Sequence, residues 1–123
     1  MDTIAAIATP LGTGAVGIIR ISGEKARDIV ARIFKPYKIE IFSKATPYMM
    51  YLGKLDCGGV RDKALAVLFA APNSYTGEDV AELHCHGGVE LSRAVLKHVI
   101  ASGARPAKAG GFTMRAFING KIS

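Results

Sequence analysis

Two charged residues of this chain stand where charge is costly. Glu82 sits within an alternating apolar stretch, Val80 to His86, shortly after Glu78 and Asp79. Arg20 sits within another, Val16 to Ser22, which is rich in β-branched residues. A carboxylate or guanidinium in apolar surroundings needs a partner, or its desolvation goes uncompensated. Two kinds of partner meet that need. Glu82 can accept bidentately from a ligand that offers two adjacent N–H donors. Equally, each residue can be held in an ion pair or face solvent, with no ligand involved.

Other constellations carry less. His84 and His86 share one face of a strand and could chelate a metal with Glu82, but a zinc site wants further ligands that the sequence does not place. Cys85 points to the opposite face, as a packed and inert thiol rather than a nucleophile. Gly12 to Gly17 matches G-x-G-x-x-G, yet Ile18 to Ile21 read as strand where a dinucleotide site needs a helix. Gly120-Lys121 has the end of a phosphate loop, but Ile122 replaces the Ser or Thr, and Arg115 stands at the first glycine's position. Nucleoside triphosphate hydrolysis by that route is excluded for this chain. No catalytic acid or base emerges.

Positioning these residues takes one domain. The 123 residues are 50% hydrophobic and 21% charged, which excludes a disordered chain. The longest apolar run, Ala64 to Ala71, is far short of the roughly 18 residues a membrane span needs. The N-terminus lacks a basic n-region and a signal core, and two cysteines make no disulfide framework, so a cytoplasmic setting with reduced thiols is expected. Residues 1–90 carry equal numbers of acids and bases, whereas residues 91–123 carry Arg93, Lys97, Arg105, Lys108, Arg115 and Lys121 and no acid. The net charge of +6 lies entirely there. Either this is an anion-facing surface for phosphate or a poly-acidic ligand, a basic nucleic-acid-binding module among the options, or the chain is a fragment whose balancing acids lie beyond Ser123.

The elements alternate. Thr3 to Thr9 and Val16 to Ser22 read as strands. Ser22 is placed to cap a helix whose apolar face is Ala26, Ile29, Val30, Ile33 and Phe34, ended by Pro36. Lys38 to Pro47 has no clear period. Tyr48 to Asp56 and Lys63 to Ala71 form a hairpin around Gly58-Gly59. Pro72 to Gly77 is a turn, and Val80 to His86 is a strand that Gly87-Gly88 breaks. A second helix over about Val89 to Ser102 carries Leu91, Val95, Val99 and Ser102 on one stripe, with Gly103 after it. A short strand near Arg105 and a turn around Thr113 to Phe117 follow. The class is α+β, with a mixed sheet of about five strands and two or three helices.

Three blocks taken together, DTIAAIATPLGTGAVGIIRISG, PNSYTGEDVAELHCHGG and GGFTMRAFINGK, resemble the N-terminal domain of the tRNA-modification GTPases of the MnmE (TrmE) family. They cover nearly the whole chain. One departure is clear. The family's PGEFTKRAF ending appears here as Ala109 to Phe117 with the proline, glutamate and lysine replaced.

The resemblance implies that residues 1–123 are a folate-binding and dimerisation domain, a fragment without the family's helical and GTPase domains. It implies half of an aminomethyltransferase-like fold, completed by a second copy; the apolar strands Thr3 to Thr9 and Tyr48 to Ala71 could present edges that pair across the two-fold axis. The ligand implied is a reduced folate, 5-formyl- or 5,10-methylene-tetrahydrofolate. GTP, magnesium and potassium would belong to the absent GTPase domain. The intact protein would work with a flavin-dependent partner, MnmG (GidA), to add a (carboxymethyl)aminomethyl group to the wobble uridine of certain tRNAs. The folate contacts carry over onto Arg20, Glu82 and Lys121. Glu82 suits the pterin edge, and the two cations suit the anionic tail or the one-carbon oxygen. A free-standing one-carbon transferase is the remaining alternative, and it lacks an identifiable catalytic group.

Overall fold

The computed structural model describes residues 1–9, 16–86 and 88–122. Its elements are β1 (Ile4–Ile7), β2 (Gly17–Ser22), α1 (Ala26–Ile33), β3 (Phe34–Pro36), a 3-10 turn (Phe42–Lys44), β4 (Tyr51–Cys57), β5 (Val60–Phe69), β6 (Val80–Cys85), α2 (Gly88–Ala101), β7 (Arg105–Pro106) and α3 (Gly111–Ile118). The strands form one sheet in the order β3-β4-β5-β6-β2-β1-β7. All neighbours are antiparallel except β1 and β7. The class is α+β as expected, with seven strands rather than about five, and three helices.

The extra strand has a local cause. Phe34 continues the helical spacing of α1 in sequence, but the helix stops at Ile33 and Phe34 is extended, at φ −134° and ψ 127°. Pro36 disfavours helix at the residue before it. Phe34–Pro36 then pairs with Gly53–Leu55 at the sheet edge, where a strand tolerates proline. Ser22 likewise does not cap α1. The helix has no side-chain cap, and the Lys25 N–H just before it donates to the Thr3 hydroxyl at 3.1 Å. The Ser22 hydroxyl turns instead to Thr76 and Glu78.

The hairpin forms as read. Gly58 and Gly59 have φ of 53° and 91°, left-handed at both central positions, which suits the twist of the flanking strands. β4 alternates strictly, with Tyr51, Leu55 and Cys57 buried and Leu52, Lys54 and Asp56 exposed. The core lies between one sheet face and the pair α1 and α2. Ile19, Ile21, Ala81 and Leu83 meet Ile29, Val30, Val95 and Val99 there. α2 buries Ser92, Val95 and Val99, with Leu91 packed half-buried against the same core, so Ser92 joins the expected stripe and Ser102 is only half-buried. The segment without a clear period supplies Phe42, fully buried and edge-on to Phe34 and Tyr51.

Two expectations about strand edges are corrected. β4 is flanked by β3, and β1 is paired by β7 at Ile4 and Ala5, so neither is an outermost strand of the sheet. The edge strands are β3 and β7. Residues 10–15, which hold most of the G-x-G-x-x-G match, and Gly87 lie outside the described residues, but a strand starts at Gly17, where a dinucleotide site would start a helix.

Candidate functional site

Arg20 and Glu82 occupy the sheet face opposite the core. The antiparallel register sets Arg20 of β2 directly across from Glu82 of β6, with Ala6 and Val67 continuing the same rung. Period-two alternation decides this. Ile19, Ile21, Ala81 and Leu83 point into the core, so their neighbours Arg20 and Glu82 point away from it.

The pair is in contact. Nε and Nη2 of Arg20 each lie 2.9 Å from Oε2 of Glu82. Oε1 of Glu82 lies 2.9 Å from Nε2 of His84. The Glu82 side chain is 12% exposed, against 30% for Arg20. The ion-pair reading of both residues is therefore realised. A carboxylate has about four acceptor positions, so Glu82 retains capacity beyond these three contacts.

Arg20 also borders a cleft. Its guanidinium carbon lies 5.6 Å from the centroid of the Phe112 ring, within cation–π range. The cleft has a volume of about 620 Å³ and lies between β1 and the segment from Ala107 to Thr113, with Arg20, Tyr75 and Phe112 on its walls. Ligand sites commonly fall within roughly 300–1,000 Å³. Tyr75 and Thr113 close one side through a 2.9 Å hydroxyl contact.

Lys121 is not brought to this pair. Its side chain is exposed and does not line the cleft. Its methylenes run along Gly77, and its backbone N–H closes the end of α3 onto the Ala116 carbonyl at 2.8 Å. Among the described residues it enters no ion pair.

Residues 3–121 match the family described as the GTP-binding protein TrmE N-terminus. The chain belongs to that family. Similar TrmE-family relatives bear the name tRNA modification GTPase MnmE. The one from Roseiflexus sp. (strain RS-1) is 50% identical, that from Syntrophus aciditrophicus 48% and that from Carboxydothermus hydrogenoformans 44%. Each alignment covers 98% of this chain. The chain spans about a quarter of the length of these relatives, 26 to 27%.

Within this TrmE-type domain the two cysteines are free and buried. Burial pushes the Cys85 thiol up to about 12, with the Cys57 and Asp62 charges adding to it. Burial, then the Asp56 charge, pushes the Cys57 thiol up to about 11. Neither supplies a thiolate near neutral pH. Among the described residues, no three His, Cys, Asp or Glu side chains converge as a metal site. No described helix is long and apolar enough to cross a membrane.

Sequence reasoning missed the aromatic wall and the ion pairs that hold it. Tyr75 reads as part of the turn Pro72 to Gly77, and Phe112 enters only as a letter of the block GGFTMRAFINGK. Arg115 counted only toward the basic excess, yet it is buried and bonded to Glu78 and Asp2. Its one sequence-level signal is a charged residue in the middle of the apolar run Phe112 to Ile118.

Proposed function

We propose that this domain binds a reduced folate, 5-formyl- or 5,10-methylene-tetrahydrofolate, beside the Arg20–Glu82 pair. The observation that carries the reading is the placement of Arg20. It joins the carboxylate of Glu82 on one side to a cleft of ligand size, walled by Phe112 and Tyr75, on the other. A pterin edge presents two parallel donors to Glu82, exchanging with one of its present partners. The freed guanidinium of Arg20 then faces the anionic tail or the one-carbon oxygen. Lys121 meets the same ligand only after its side chain leaves Gly77. The part of this domain is to bind and orient the folate.

The domain acts as a homodimer. Tyr37, Met49, Met50, Leu52 and Leu65 surround an apolar hollow of about 590 Å³, and all five are at least 39% exposed. Solvated apolar surface of this kind supports cover by a second copy. In the intact protein the bound folate supplies the one-carbon unit. With the flavin-dependent MnmG partner, that protein adds a (carboxymethyl)aminomethyl group to the wobble uridine of certain tRNAs in the cytoplasm. GTP hydrolysis with magnesium and potassium belongs to a separate GTPase domain. Calorimetric titration of the 123-residue chain with 5-formyltetrahydrofolate tests the reading. Saturable binding supports it, and a folded dimer that takes up no heat overturns it.

A further inference from the structure

α3 is held in place by charge more than by apolar burial. Of its eight residues only Arg115 and Ala116 are buried, while Met114, Phe117 and Ile118 are each more than half exposed. It begins at a left-handed Gly110 without a side-chain cap. A helix this short has little stability of its own. The Arg115 side chain is 7% exposed, and both terminal nitrogens of its fork are engaged. Nη1 donates to both carboxylate oxygens of Glu78, each at 2.9 Å. Nη2 donates to the carbonyl and the carboxylate of Asp2, each at 2.7 Å. Glu78 is itself fixed by the Ser22 hydroxyl at 2.7 Å. One guanidinium therefore ties α3 to the N-terminus, to the segment before β6 and, through Glu78, to the end of β2.

We propose that Arg115, clamped by Glu78, is the positioning residue of the cleft. It sets α3 so that Phe112 lies over Arg20 and Thr113 reaches Tyr75, the two contacts that shape the cleft wall. A lysine cannot replace it, because an ammonium has the charge but not the planar fork that spans Glu78 and Asp2 together. The effect on ligand affinity rests on the folate reading. The placement of Phe112 does not.

The test uses the 123-residue chain with Arg115→Lys and Glu78→Gln, and Phe112→Leu as a benchmark. The Nε–H resonance of Arg20 reports the ring above it by NMR. In both clamp variants it should move to its position in Phe112→Leu, while the amides of β2 and β6 in the core keep their native shifts. Affinity for 5-formyltetrahydrofolate should fall about tenfold, the loss expected for one displaced wall contact. An Arg20 resonance left at its native position overturns the clamp, as does unchanged affinity. Should these variants unfold, Asp2→Lys decides, since it sets a like charge against Nη2 in place of a half-exposed carboxylate: a shift of the Arg20 resonance supports the clamp and no shift overturns it. If the native chain binds no folate, the folate reading fails alone, and the Arg20 resonance still decides the clamp.

Discussion

Glu82 takes Arg20 on one carboxylate oxygen and His84 on the other, all at 2.9 Å, on the sheet face turned away from the core. The three side chains come from two adjacent strands whose register is fixed by the buried rows behind them. Removing the carboxylate leaves a guanidinium, itself only 30% exposed, without its partner. Glu82→Gln should lower stability by about 1 kcal/mol, the usual size of a hydrogen bond to a charged group that is partly replaced. Urea unfolding measures it, and an unchanged midpoint would mean that solvent already satisfies Arg20.

The thiols give a second prediction. Both cysteines are free and buried, with values of about 11 and about 12 against an ordinary 9.0. Raised values mean that the native state favours the neutral thiol. Their contribution to stability is complete below about pH 9 and is lost as pH rises through about 11 for Cys57 and about 12 for Cys85. Iodoacetamide at pH 8 should leave both unmodified in the native chain and label both in denaturant. Prompt native labelling would contradict the packing described for β4 and β6.

Gly53 gives a third. A Cβ there would lie 2.4 Å from the Lys35 carbonyl oxygen and 2.5 Å from the Phe34 ring. Gly53→Ala should cost about 1–3 kcal/mol through this overpacking and loosen β3 first. Thermal unfolding reads the cost. A neutral substitution would show that β3 is not seated on β4.

This glycine also marks how far the sequence reaches. Burial alternates strictly in β4, in β6 the apolar Ala81, Leu83 and Cys85 mark the core face although Val80 and Glu82 opposite are buried too, and the α1 stripe is legible at Ala26, Ile29, Val30 and Ile33. Phe34 misleads because helical spacing continues through it, although Lys35 before Pro36 already opposes helix. A glycine inside a strand is the sign that another backbone approaches closely, and Gly53 carries that sign for β3. Ser22 misleads because a distant hydroxyl, that of Thr3, does the work near the start of α1. At the candidate site, Arg20 and Glu82 are each conspicuous as charges in apolar strands. Their pairing, 62 residues apart, needs the register. The Arg115–Glu78 contact spans 37 residues and leaves no spacing for a sequence to display.

The apolar hollow gives a fourth prediction. Leu65 is 39% exposed, so Leu65→Glu should change the stability of the monomer little. It should nonetheless abolish dimerisation by placing a charge where a second copy packs. Sedimentation velocity distinguishes the outcomes: a native dimer that the variant converts to monomer supports the assignment. A variant that remains dimeric moves the interface elsewhere.

The most direct test of folate binding sets the native chain beside Glu82→Ala in calorimetric titrations with 5-formyltetrahydrofolate. The native chain should bind saturably. The variant, still folded, should lose binding, because the pterin donors would be desolvated with no acceptor. Equal affinity in the two proteins would contradict the role of Glu82, and no binding by a folded native dimer would contradict the folate site itself.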